Sequence, residues 1–320
     1  MAFFDLSIDE LYQYKGSSEE PSDFDSFWLN TIKENNHKPE AKYNLIQTHL
    51  KFFDVFEVSF LGYNKHTING WYIAPKNSDK LTCVVQYLGY GNGRDFPISH
   101  IVFPSAGYSV FVMETRGQGA EDGNGASTID PEGYGVHADG FLTKGILDKN
   151  DYYYKRVFID ALKAIEAAKE HPSTDKIVIN GSSQGGGIVL AACALSELSN
   201  IKIDAMIADV PFLCDYKRAS TITDTLPYNE IVRYCKTNRD KENIVFNTLS
   251  YFDGAFFAKR AKAKALFSVG LMDILVPPST VFAAYNNYAG EKSIEVYTFN
   301  GHEGGDNYHI EKKLDFLSRL

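Results

Sequence analysis

Three residues whose types act together in acyl transfer stand far apart in this 320-residue chain: Ser183, Asp273 and His302. A neutral serine is a poor nucleophile. An imidazole can take its proton near neutral pH, and a carboxylate fixes the imidazole tautomer and stabilises its cation. Ser183 lies in Gly181-x-Ser183-x-Gly185, after the apolar run Ile177-Val-Ile179 and before the small-residue stretch Ile188 to Leu195. That pattern reads as a strand, a tight elbow and a helix, with the hydroxyl presented at the helix head. Ser182 is the neighbouring hydroxyl, but glycines do not flank it at the two required offsets. The amide of Gln184 follows the nucleophile and is free to hold an oxyanion, because the first turn of a helix leaves its N–H groups unpartnered.

Asp273 follows the apolar run Ala265-Leu-Phe-Ser-Val-Gly270, and His302 follows Ser293 to Phe299. All three candidates therefore sit just past the C-terminal end of a predicted strand, the edge at which open α/β sheets bind ligands. The order serine, acid, histidine is that of α/β-hydrolases. Asp209 and Glu303 compete as the acid; Asp209 comes one strand too early. Of the eight histidines, only His302 follows a late strand in this way, while His309 is embedded in a closing helix.

A second oxyanion donor is expected from the loop after Leu81 to Leu88, where Gly89-Tyr-Gly-Asn-Gly-Arg94 offers the Tyr90 amide. The loop is not a dinucleotide fingerprint, since Arg94 stands where the third glycine belongs. Arg116 ends the next strand, Tyr108 to Glu114, and a guanidinium there either binds substrate or bridges loops around the site; bridging is the commoner use.

These strands alternate with helices, notably Asp151 to Glu170 with Val157, Ala161, Ala164, Ile165 and Ala168 on one face. The fold class is therefore α/β: a mostly parallel central sheet flanked by helices. We expect a single domain over 1–320. It has an acidic, aromatic N-terminal extension over 1–50, with helices starting near Ser7 and Ser22, a hairpin from Val55 to Ile73, and a loop-rich insertion at 119–150 that walls the entrance or makes an oligomer contact. With 44% hydrophobic residues the chain can bury a large core, and a net charge of −9 without a basic block argues against nucleic acid or an anionic membrane as partner. The four cysteines are widely spaced and suggest neither disulfides nor a zinc site. No signal segment or membrane span is read, so a cytoplasmic protein is expected.

The combination Arg116-Gly-Gln118, Gly181-x-Ser183-Gln184-Gly185 and His302-Glu303 resembles the acetyl xylan esterase and cephalosporin C deacetylase family, carbohydrate esterase family 7. The likeness extends through Asp151-Tyr-Tyr-Tyr154, Asp209-Val-Pro-Phe-Leu-Cys214, Leu249-Ser-Tyr-Phe-Asp-Gly254 and Gly270-Leu-Met-Asp273. It implies an α/β-hydrolase fold, Ser183, Asp273 and His302 as the triad, and the amides of Tyr90 and Gln184 as the oxyanion hole. It further implies Arg116, Gln118 and Glu303 as residues that organise the site, no metal or other cofactor, small acetylated carbohydrates as substrates, and a homohexamer with its active sites facing an internal cavity. Ser182 departs from the second glycine common at that position, and the 119–140 insertion is shorter than in well-known members. Competing readings are another short-chain esterase or a peptidase of the same fold, and a non-catalytic binding member.

Overall fold

A computed structural model describes residues 3–120, 127–133 and 138–320. Part of the loop-rich insertion, at 121–126 and 134–137, thus lies outside the described residues. One sheet of nine strands runs through the molecule: β1 (Lys42–Ile46), β2 (Phe53–Leu61), β3 (Thr67–Pro75), β4 (Leu81–Tyr87), β5 (Ser109–Met113), β6 (Thr174–Ser182), β7 (Ala205–Asp209), β8 (Lys264–Gly270) and β9 (Lys292–Tyr297). Their spatial order is β1-β2-β3-β5-β4-β6-β7-β8-β9. The first three strands pair antiparallel, β3 with β5 included, and every pairing from β5 to β9 is parallel. The expected hairpin is β2–β3. Strand β1 falls inside what reads from sequence as an extension; it is a short edge strand whose burial is nowhere complete, so its apolar residues carry little pattern.

Period-two alternation divides the core between the two faces. Cys83, Val85, Ile177, Ile179, Met206 and Phe267 face the larger helical layer, built from Phe24–Glu34, Tyr153–Glu170, Gln184–Leu198 and Pro278–Asn287. Val84, Val178, Ala205, Ile207 and Leu266 face Val102–Ser105 and the closing helix Asp306–Ser318, which contributes Phe316 and Leu317. Tyr153–Glu170 is buried nearly all round, Lys155, Arg156, Asp160 and Lys163 included. Its polar residues are covered by partners, Asp160 by Arg116, Arg156 by Asp130 and Lys163 by the His37 carbonyl (2.6 Å), while Trp28 of the N-terminal helix packs on Phe158 with ring centroids 6.0 Å apart.

The N-terminal segment is sewn to distant parts of the chain. Trp28 Nε1 donates to the Tyr251 carbonyl (2.9 Å), and Tyr14 Oη donates to Asp215 (2.7 Å), as does Ser17 Oγ (2.6 Å). Asp5 accepts from the Ser279 amide (2.7 Å) and pairs with Arg218 (2.9 Å). Ser7 caps the helix Ile8–Leu11 in a capping box with Glu10. All four cysteines are free, and Cys83, Cys193 and Cys214 are buried. Among the described residues no helix is long and apolar enough to cross a membrane.

Candidate active site

Strand β6 ends at Ser182 and the helix begins at Gln184, leaving Ser183 alone in the turn at φ 56°, ψ −120°. A non-glycine residue in such a conformation costs on the order of 1–3 kcal/mol and persists only where its surroundings hold it. Here the Ser183 amide donates to the Asp209 carbonyl (2.9 Å), and its own carbonyl accepts from Gly187 (3.1 Å) and Phe212 (2.9 Å). The elbow is thereby pinned to the end of β7. Gly185 is required by close approach: a Cβ there would sit 2.3 Å from the Tyr87 carbonyl oxygen. Ser182 is exposed, so its side chain is accommodated without crowding the elbow.

Asp273 is fully buried, and His302 is partly exposed. The imidazole Nδ1 donates to Asp273 Oδ2 at 2.7 Å, while Oδ1 accepts from the amides of Leu275 (2.8 Å) and Val276 (2.9 Å). With Nδ1 donating, the Nε2 lone pair is left free to accept a proton. The two loops meet because β8 ends in Gly270, where a Cβ would lie 2.2 Å from the Gly301 carbonyl oxygen. The Met272 amide then reaches the Asn300 carbonyl (3.0 Å). Ser183, His302 and Tyr90 open onto one cavity of about 820 Å³, whose lining includes the apolar Leu226, Pro227 and Leu275.

The helix head and the β4 loop are locked together by a pair of side-chain amides. Gln118 Nε2 donates to Gln184 Oε1 (2.9 Å), and Gln184 Nε2 donates to Gln118 Oε1 (3.1 Å). Gln118 Oε1 also accepts from the Gly91 amide (2.8 Å), and Gln184 Nε2 reaches the carbonyls of Leu88 and Gly89 (3.2 Å each). These bonds fix the Tyr90 backbone relative to the Gln184 amide. The Tyr90 ring is held separately: its hydroxyl donates to Glu230 and accepts from the Phe141 amide (2.9 Å). Burial pushes the Glu230 carboxyl above its ordinary range against the pull of the Tyr90 hydroxyl and of the Gly140 and Leu142 amides.

Arg116 is fully buried and lines no part of the cavity. Its guanidinium takes Asp160 in a fork (2.5 and 2.8 Å) and Asp130 at 3.2 Å. Arg156 closes the cluster on Asp130 (2.8 Å). Burial acts to lower the Arg116 pKa, but the two carboxylates outweigh it and hold it above the ordinary value. The residue ties the 127–133 loop to the helix Tyr153–Glu170. Glu303 is exposed and folds back on its own loop, accepting from Asn300 Nδ2 (2.9 Å) and the Gly301 amide (3.0 Å). Those bonds, Asn300 foremost, lower its pKa. Asp209, the rival acid, is engaged elsewhere, with His309 Nε2 (2.8 Å) and Lys313 Nζ (2.7 Å). Although burial acts to raise its pKa, Lys313 and His309 bring it down to about 2.

Sequence reasoning missed Tyr153, whose hydroxyl donates to the Arg116 carbonyl (2.5 Å), and Tyr154, which donates to Gln184 Oε1 (2.8 Å). Three consecutive buried tyrosines at a helix start were the available signal, because a buried phenol needs a partner. Among the described residues no cluster of His, Cys, Asp and Glu could hold a metal ion.

An elbow serine, a carboxylate-oriented histidine and a mostly parallel sheet carrying both at its C-terminal edge define an α/β-hydrolase. The fold is shared with an acylaminoacyl peptidase of Pyrococcus horikoshii (TM-score 0.58, 20% identity, covering 85% of this chain and 41% of that one). The chain belongs to the acetyl xylan esterase family of carboxylic ester hydrolases: the family model described as Acetyl xylan esterase (AXE1) matches residues 1–320. Among solved structures, it is similar to the acetyl xylan esterase from Paenibacillus sp. R4 (34% identity, TM-score 0.90, covering 98% of this chain and 100% of that one). It is also similar to acetyl xylan esterase 1 from Thermoanaerobacterium sp. JW/SL YS485 (30% identity, TM-score 0.87, 98% and 99%). The acetyl esterase Axe7A of Xylanibacter ruminicola is 25% identical over 316 residues, covering 93% of this chain and 69% of that protein.

Proposed function

We propose that the protein is a serine acetylesterase that deacetylates small acetylated carbohydrates through an acetyl-enzyme on Ser183. The observation that carries this reading is the strained Ser183 elbow opening onto the same cavity as an imidazole already oriented by Asp273. In the first half-reaction His302 Nε2 removes the Ser183 proton as Oγ attacks the acetyl carbonyl carbon. The Tyr90 and Gln184 amides receive the developing oxyanion, and Asp273 stabilises the imidazolium. Collapse breaks the bond to the sugar oxygen, which leaves with the proton held by His302. Water, deprotonated in turn by His302, hydrolyses the acetyl-enzyme to acetate and frees the serine. The apolar lining of Leu226, Pro227 and Leu275 suits a short acyl methyl. Family resemblance extends the same proposal to cephalosporin C deacetylation and to a homohexameric assembly.

Acetate release from acetylated xylobiose, 7-aminocephalosporanic acid and p-nitrophenyl acetate by wild type and Ser183→Ala tests this. Wild type is expected to turn over all three and the folded variant none. A folded variant that keeps the wild-type rate refutes Ser183 as nucleophile. Turnover of longer acyl esters alone refutes the acetyl assignment.

A further inference from the structure

The cavity at Ser183 has a second arm, which runs over the C-terminal ends of β4, β6 and β7 beside the closing helix. Its floor follows from alternation. Val84 and Val178 belong to the core on the closing-helix face, so Gln86, Asn180 and then Ser182 emerge on that same face where the apolar core stops. All three line the cavity, together with Lys313 and Ile310 from the helix above.

Each polar group of the arm has hydrogen-bonding capacity that no described residue satisfies. Lys313 Nζ donates to Asp209 (2.7 Å) and, at the long distance of 3.5 Å, to Asn180 Oδ1, which leaves a third N–H over. The Asn180 Nδ2 group, on a side chain that is 5% exposed, has no acceptor among the described residues. Gln86 Nε2 contacts His100 Nδ1 (3.3 Å) while its carbonyl oxygen stays open, and the Ser182 hydroxyl is exposed. Surplus donors around a carboxylate-balanced ammonium suit a neutral ligand rich in acceptor oxygens better than an anion. Ile310 adds an apolar surface for C–H groups. His302 lines the same cavity as Asn180, Ser182 and Lys313, so an alcohol held by these groups lies within one pocket with the imidazole. The imidazole is the group from which a leaving alcohol collects its proton.

We propose that this arm is the leaving-group subsite, in which a neutral pyranose bearing the scissile acetyl is held by hydrogen bonds to Asn180, Ser182 and Lys313. The proposal rests on the acetylesterase reading and names what that site selects. It makes Asn180 and Ser182 determinants of the alcohol half of the substrate and gives the acyl half to the apolar Leu226, Pro227 and Leu275 of the same cavity.

The test compares kcat and KM on acetylated xylobiose and p-nitrophenyl acetate for wild type, Asn180→Ala and Ser182→Ala. Thermal melts check folding, and inhibition of p-nitrophenyl acetate turnover by free xylobiose is measured alongside. Each variant is expected to lower the ratio of kcat/KM for the sugar ester over that for the nitrophenyl ester by about three- to tenfold, mostly through KM, the worth of one hydrogen bond to a neutral ligand. Xylobiose inhibition should weaken by a similar factor. An unchanged ratio in both variants, with wild type active on the sugar ester, overturns the subsite and leaves the esterase reading standing. Equal losses on both esters would report a disturbed elbow and also overturn it. Wild type inert on acetylated xylobiose brings down the esterase reading itself, and this proposal with it.

Discussion

Replacing Gln118 by alanine separates the stability of the site from its chemistry. The side chain is fully buried and makes four hydrogen bonds with described residues, two with Gln184, one with the Gly91 amide and one with the Tyr153 hydroxyl. Its loss strands the Gly91 N–H, a cost of about 1–3 kcal/mol for a buried unsatisfied donor. Gln184 keeps Leu88, Gly89 and Tyr154 as partners, so most of its own pairing survives. With the cavity left by the missing atoms, total destabilisation should be about 3 kcal/mol. The catalytic effect has a different origin. Gly91 adjoins Tyr90, and after the substitution the bond from the Gly119 amide to the Gly91 carbonyl (3.0 Å) is what remains, among the described residues, as a hydrogen-bonded tie to the 115–119 turn. Losing one oxyanion donor costs on the order of 10²–10³ in rate, so on the proposed mechanism a partly displaced Tyr90 amide should cost about 10² in kcat. KM for p-nitrophenyl acetate should move by less than about threefold, because the donor is used mainly in the transition state. Steady-state kinetics with urea denaturation at one pH measure both effects. A folded Gln118→Ala that loses stability yet keeps kcat within about threefold would show that the amide pair does not position the oxyanion hole.

Arg116→Lys should destabilise by about 3–5 kcal/mol in urea unfolding, because one ammonium cannot serve both buried carboxylates that the guanidinium forks between. Gly185→Ala should fail to give folded protein by circular dichroism, or give it with activity below about 1% of wild type, since its methyl collides with backbone rather than with a side chain that can move. Asp253 is buried, and desolvation first, then Asp215, raises its pKa to about 7. An acid whose folded pKa lies above its unfolded value of about 3.9 contributes stability in full below pH 4, and loses it as pH rises towards 7. Asp253→Asn keeps an oxygen to accept from the Ala255 and Asp215 amides, and should flatten that dependence. Its melting temperature relative to wild type should therefore rise between pH 4 and 8, and a constant difference across that window would refute the assignment.

The parts of the site that sequence discloses are those set by local rules. Ser183 is legible because an elbow needs glycines at fixed offsets. Asp273 is legible because it follows an apolar run that becomes the buried strand β8, and His302 because it follows the alternating, β-branched and aromatic pattern of the edge strand β9. What is not legible depends on groups meeting across the fold. Arg116 reads as either a substrate ligand or a brace until Asp130 and Asp160 are placed against it, 14 and 44 residues away along the chain. The Gln118–Gln184 pair joins residues separated by 66 positions, and no periodicity marks either glutamine. Strand β1 escapes notice because an edge strand that never buries a full face lacks the alternation by which strands are recognised. Lys155, Arg156 and Asp160 suggest a solvated helix face, whereas ion pairing and the docked N-terminal helix allow the whole helix to be buried.

The stitching of the N-terminal segment bears on how the chain reaches this structure. Asp5 bonds a residue 274 positions away, Trp28 one 223 away and Tyr14 one 201 away. Residues 5–28 are therefore synthesised long before any of these partners exists. Contacts of such separation carry a large loop-closure cost and are late to form. In the aromatic helix Phe24–Glu34, Trp28 can meet Phe158 earlier, but Phe24 and Phe27 must wait for the segment 251–257 to fold against them. For that interval part of its aromatic face stays uncovered in the growing chain.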